Sequence, residues 1–187
     1  MSTDTTSSTV PQALTPGTWN VDPSHSSVAF VARHLMVSKV RGAFAGFSGT
    51  LTIADDPLAS KVEATVDAST VDTGDANRDG HLASPDFFDV AQYPTWNLVS
   101  TSIVPAGDDY RLTADLTIKG VTRSVVFDLE FEGVAVDPWG NTKAGFTAST
   151  EISRKDFGLE WNVALEAGGV LVGDKVKIQL DIQAVKA

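Results

Sequence analysis

From Lys61 onward, apolar and polar residues take turns: Val62, Ala64, Val66 and Ala68 alternate with Glu63, Thr65, Asp67 and Ser69. A period of two places successive side chains on opposite faces of an extended chain, so the run can bury one face and wet the other only as a strand. The rhythm returns. Tyr110, Leu112, Ala114, Leu116 and Ile118 form one apolar stripe. Beyond Lys119-Gly120, Val125, Phe127, Leu129 and Phe131 form the next, opposite Asp128, Glu130 and Glu132, which predicts a hairpin. Near the C-terminus Val176, Ile178, Leu180, Ile182 and Ala184 alternate with Lys175, Lys177, Gln179, Asp181 and Gln183. Further strands are expected over Ser26–Arg33, Val40–Ile53, Thr95–Val104 and Lys143–Ile152, about eight in all.

Turn residues separate these runs at Asp55-Asp56-Pro57, Pro105 to Asp109 and Asp137 to Asn141. The pattern is that of an all-β, antiparallel sandwich or barrel. Residues Asn77 to Asp89 depart from it, and their mixed polar pattern with Pro85 predicts one or two short helical turns capping the sheet. A chain of 187 residues, 42% hydrophobic, fits one domain, expected over 17–187, behind a disordered Ser/Thr-rich tail at 1–16. That tail has neither the basic start nor the apolar stretch of a signal peptide, so the expected location is cytoplasmic.

Charge and cysteine content exclude whole classes of chemistry. Fourteen basic against twenty-four acidic residues give a net charge of -10, which argues against nucleic acid and stable membrane-surface binding, and no apolar run is long enough for stable membrane insertion through a helix. The absence of cysteine removes disulfides, thiolate catalysis and Cys-ligated metal clusters.

A barrel of roughly eight strands is just wide enough to be filled by side chains or to enclose one small ligand. Ala64, Ala68, Ala114 and Ala148 leave room on stripes that face inward, while Phe30, Phe44, Phe127, Phe146 and Trp161 supply apolar walls. A ligand cavity and a sealed core both fit this composition.

Several stretches have the look of chemistry. Asp75 to Asp86 matches the start of a calcium loop, D-x-N-x-D-G, but ends on Asp86 where a bidentate Glu is needed and lacks an entering helix. Gly46-Phe-Ser48-Gly49 falls short of a nucleophile elbow because Thr50 stands where the last glycine belongs. His25, His34 and His81 are the only histidines and match no metal spacing; His34 or His81 beside a carboxylate is the route by which an enzyme could work. Arg33, His34, Lys39 and Arg41 surround Met36 in an otherwise acidic chain and could rim a cavity mouth facing an anionic or quinone head group. Phe87 and Phe88 are either plugs under the capping turn or gate residues.

Five ordered blocks resemble the YceI-like family of polyisoprenoid-binding, lipocalin-like bacterial proteins. They are Asp22 to Ser26, Arg33 to Gly42, Thr73 to Val90, Leu116 to Thr122 and Ser153 to Gly158, within a likeness running from about Trp19 to the C-terminus. The resemblance implies an extended eight-stranded antiparallel barrel whose apolar tunnel takes a long isoprenoid chain, such as a polyprenyl phosphate or quinone tail. It implies a non-enzymatic carrier without a cofactor or metal, in a family where homodimers occur. On that basis Phe30, Met36, Phe44, Phe87, Phe88, Phe146 and Trp161 are expected to hold the tail, with Arg33 and His34 near the head. The rival readings are an enzyme using His34 or His81 and a calcium-stabilised interaction module on Asp75 to Asp86.

Overall fold

In the computed structural model, which describes residues 14–165 and 170–187, the alternating runs join into one antiparallel sheet. Its strands are β1 (Gly17–Val21), β2 (Ser27–His34), β3 (Ser38–Phe44), β4 (Phe47–Ile53), β5 (Lys61–Asp67) and β6 (Val71–Asp72). A helix, α1 (Ala76–Ala83), precedes β7 (Thr95–Ala106), β8 (Asp109–Ile118), β9 (Val121–Val136), β10 (Thr142–Ser153) and β11 (Val172–Lys186). Hydrogen bonding runs β1–β4–β5–β7–β8–β9–β10–β11, and β11 returns to β1 through Trp19 opposite Lys186. That ring of eight is a closed antiparallel barrel: the periodicity leaves sandwich and barrel open, and the barrel is what the family resemblance implies.

The other three strands prolong the ring. β2 pairs with β11 beyond β1, β3 pairs with β2, and β6 pairs with β3. Thus β1 with β2, β4 with β3, and β5 with β6 are three long strands, each interrupted once. The run expected as one strand over Val40–Ile53 is broken at Ala45 and Gly46 for a steric reason. The Gly46 N–H bonds the Thr70 hydroxyl at 2.9 Å and its carbonyl accepts from Asp67 N at 2.8 Å. A Cβ on Gly46 would lie 2.9 Å from Thr70 Cγ2. Two strands therefore bend together where their backbones cross closely.

The connections give the barrel two unlike ends. One carries the β2–β3 turn, α1 and the segment between β10 and β11; the other carries the β4–β5, β7–β8 and β9–β10 turns. The capping helix begins at Ala76, N-capped by the Asp75 carboxylate, which accepts from Asn77 N and Arg78 N. Lys119 Nζ donates to Pro85 O and the Gly120 Cα abuts the Tyr93 ring, so the segment after α1 is moored to the β8–β9 turn. At the opposite end Trp19 is fully buried beside Ala144 and Ala184, paired small residues that leave space for its indole. Residues 1–13 of the expected tail lie outside the described residues; Leu14 packs on the Trp19 cluster, and Thr15 O accepts the indole N–H at 3.0 Å.

The β9–β10 turn is organised by one carboxylate. Asp137 accepts from Asn141 N and Trp139 N, each at 2.9 Å, and from Asn141 Nδ2 at 3.1 Å. These bonds, with the Asn141 N–H foremost and Lys143 nearby, hold its carboxyl below the usual carboxylate range. A carboxyl whose folded pKa is depressed contributes stability above its unfolded value, roughly pH 4, and loses it as pH falls through the folded value. Thermal midpoints should therefore stay level down to about pH 4 and drop below it, with a shallower drop in Asp137→Asn. An identical acid slope in the variant would contradict this assignment.

Candidate functional site

The inward rows do not meet at the barrel axis. They enclose a cavity of about 210 Å³, larger than the roughly 150 Å³ apolar void that stays dry and accepts benzene. Each strand of the ring beyond β1 sends a wall residue: Leu51, Ala64, Leu98, Leu112, Leu129, Ala148 and Leu180, with Val21 and Val28 from β1 and β2. The alternation explains why the lining is apolar. Ser48 and Asn97, the polar residues beside the cavity on β4 and β7, belong to the outward rows, and the Ser60 hydroxyl accepts from Ala54 N. Of the four alanines expected to leave room, Ala64 and Ala148 border the cavity, whereas Ala114 is fully buried within β8 and Ala68 lies beyond the end of β5, buried in the 3-10 turn Ala68–Thr70.

Aromatic rings stop the cavity at the helix end. Phe44 lies 5.8 Å from Phe30 and 4.8 Å from Trp96, centroid to centroid, and all three border the cavity. Phe88 backs them, 4.8 Å from Trp96. Behind it, Phe87 sits 5.3 Å from Trp161, whose ring meets His81 at 4.6 Å. Phe30 can lie across β3 because Gly42, directly opposite it, has no side chain; a methyl there would overlap the ring. The Trp96 indole N–H, packed among these rings, finds no acceptor among the described residues. At the far end Leu14, Pro57 and Leu58, all partly exposed, edge the cavity where water reaches it.

The residues singled out in the sequence separate into three places. Phe30, Phe44 and Phe146 line the cavity. Phe87, Phe88 and Trp161 form its aromatic cap. Arg33, His34 and Met36 sit at the β2–β3 turn, away from the cavity lining, with Met36 half-exposed. The aliphatic walls Leu112, Leu129, Ile178 and Leu180 lie on stripes set by the period of two, and Val28 and Leu98 lie within expected strands, but none stands out by ring size as the aromatics do. Trp96, one residue into its strand, carried no comparable signal.

Other candidate chemistry resolves into local structure. The Asp75 to Asp86 stretch is helical from Ala76, so its carboxylates radiate instead of converging; Asp79 accepts from Thr73 N and Oγ1, and Arg78 donates twice to Thr73. His81 Nε2 lies 2.9 Å from Asp86 Oδ2 on the outside of the cap. His25 Nδ1 meets both Asp22 Oδ2 and Ser24 Oγ, so Ser and Asp share one ring nitrogen and no relay from carboxylate through imidazole to hydroxyl exists. Ser48 lies within β4 and not at a strand-to-helix turn.

Comparison with known proteins follows the same outline. The YceI-like domain pattern matches residues 19–184. The chain is 42% identical to Protein YceI of Escherichia coli over 137 residues, covering 73% of this chain and 72% of that one. It is 39% identical to a UPF0312 protein of Staphylococcus epidermidis over 163 residues, or 86% and 93% of the two chains. Among solved structures, Burkholderia cenocepacia BcnA superposes with a TM-score of 0.75 at 26% identity, covering 87% of this chain and 98% of that one. A polyisoprenoid binding domain from Saccharophagus degradans gives 0.68 at 16% identity, covering 90% and 98%, a likeness of fold.

The Ser153 to Gly158 block owes its composition to the closure of the capped end. Arg154 is 3% exposed and donates to the carbonyls of Gly173, Leu159, Trp161 and Val172 at 2.6–3.2 Å. Burial lowers its pKa and the nearby Asp174 opposes that, yet a guanidinium stays charged across the physiological range. It fixes the segment carrying Trp161 against β11. Arg154→Met keeps the stem and takes the guanidinium from the Gly173, Leu159 and Trp161 carbonyls, while Val172 O retains Asn162 Nδ2; each of the three costs roughly 1–3 kcal/mol if left unpaired, so unfolding free energy in urea should fall by about 3 kcal/mol or more. A loss below about 1 kcal/mol would show that water replaces the guanidinium without cost.

Proposed function

The chain belongs to the YceI-like domain family, and from that premise we propose that it is a non-enzymatic carrier of a long-chain isoprenoid, a polyprenyl phosphate or a quinone. The observation that carries this reading is the apolar cavity of about 210 Å³ running along the barrel axis. Each methylene moved from water into such a lining contributes about 0.8 kcal/mol, so a branched hydrocarbon tail gains affinity without any built polar contact. The Saccharophagus domain described as polyisoprenoid-binding supports the reading at the level of a shared fold.

In this account the tail enters past Leu14, Pro57 and Leu58, the end where water reaches the chamber, and stops against Phe30, Phe44 and Trp96. The polar head then stays at the wet end. A chamber this size holds the first part of a long chain, and the rest remains near the opening or spreads the strands apart. Residues toward solvent at that end set which heads are tolerated, while the chamber itself selects only for apolar, flexible tails.

Native mass spectrometry of the purified protein, followed by organic extraction and add-back of a polyprenyl phosphate and a quinone, tests this directly. One isoprenoid per chain is expected. Ala64→Phe, which projects a ring into the chamber, should cut uptake at least tenfold while the thermal midpoint is kept. A wild-type chain that takes up neither ligand, or a variant that takes them up equally well, would contradict the proposal.

A further inference from the structure

The capped end carries a second feature, on its outside. The β2–β3 turn places Leu35 and Met36 at φ 55° and 61°, with Val37 N bonded to His34 O. Two successive residues with positive φ make the turn geometry that Asn-Gly fills without strain. Here the chain accepts that strain to present Leu35, Met36 and Val37, which are 41%, 48% and 82% exposed. Val163 and Val170, on the segment bonded to this turn through Leu35 N and Leu171 O, are exposed as well. Half of the exposed large hydrophobic residues among those described therefore gather at one tip.

The sheet face next to the tip is cationic. Arg33 pairs with Lys39 across β2 and β3, Arg41 lies opposite Val31, and Lys177 lies opposite Val31 from the other side. With Lys175, these make five of the chain's fourteen basic residues on one outward face. All five are exposed, and none forms an ion pair among the described residues. The neighbouring carboxylates are Glu151, opposite Lys177, Asp174, which accepts from the Ser153 hydroxyl, and Asp72 on β6, opposite Ala43 and accepting from Gly74 N.

We propose that this corner docks on an anionic phospholipid bilayer, the Leu35-Met36-Val37 tip entering the head-group boundary while the five cations meet lipid phosphates. Interfacial binding combines buried apolar area with attraction of Lys and Arg to anionic lipid, and both components are present side by side. The net charge of -10 does not oppose it, because charges beyond about 8 Å are screened at physiological ionic strength and the local cluster dominates. Self-association through this patch on a two-fold axis would set the two cationic faces against each other. A nucleic-acid backbone would match the cations and leave the apolar tip in water. Docking is independent of the carrier reading and presents the aromatic cap, not the open end, to the lipid.

Co-sedimentation of the full chain with vesicles tests it. Binding to phosphatidylcholine vesicles containing phosphatidylglycerol, lost in high salt and absent with phosphatidylcholine alone, is expected. Leu35→Asn with Met36→Gly suits the turn better, so it should weaken partitioning at least tenfold while leaving the thermal midpoint unchanged or raised. Arg33→Gln and Lys39→Gln should each weaken it about fivefold at low salt. Ala64→Phe should dock normally, which separates this proposal from the carrier reading. Equal partitioning to both vesicle types, or no effect of the turn variant, would overturn it. So would a solution dimer that the turn variant converts to monomer, since that assigns the tip to a second copy.

Discussion

Everything in this molecule depends on β11 holding two neighbours at once. Along one edge it pairs with β10 from Lys175 to Val185; along the other it takes β2 and then β1. That second edge closes the ring, and closure removes the open edges of the main sheet and forces every inward row into one shared lumen. The alternation of Val176, Ile178, Leu180 and Ile182 with Lys175, Lys177, Gln179 and Asp181 is what allows one strand to serve a wet face and a dry lumen together.

A ring of eight strands also fixes a diameter. Side chains of leucine and valine size, with alanines at Ala64 and Ala148, do not span it, so the middle of the barrel stays empty. The two ends differ. Beneath α1, Phe44, Phe88 and Trp96 close the hollow, with Phe87 and Trp161 behind; opposite the helix Trp19 packs into the wall against Ala144 and Ala184 and leaves the opening beside Leu14, Pro57 and Leu58. The hollow is thus a consequence of closure and side-chain volume together, and it needs no specialised residue in its wall.

The strands were legible because period two is a local signal: β8, β9 and β11 lie where their stripes predict. The break at Gly46 was not, since its cause is a neighbour more than twenty residues away, Thr70, whose hydroxyl and methyl crowd the glycine. The candidate site was half legible. Phe30, Phe44 and Phe146 face the chamber as expected, because aromatic residues in inward phase have nowhere else to go. Phe87 and Trp161 come after the pattern is lost, and their place in the cap is set by packing on His81 and by the Arg154 bonds to backbone carbonyls distant in sequence. A net charge for the whole chain likewise does not report that five cations share one face.

The central claim is that the chamber binds by apolar burial alone. Calorimetric titration with isoprenoid alcohols of increasing length measures this most directly. Affinity should rise with each added isoprene unit, approaching about 0.8 kcal/mol per methylene-sized group at first, with a negative heat-capacity change, and then level off once the chain outgrows the chamber. An affinity independent of chain length, or one that follows the head group alone, would contradict the account.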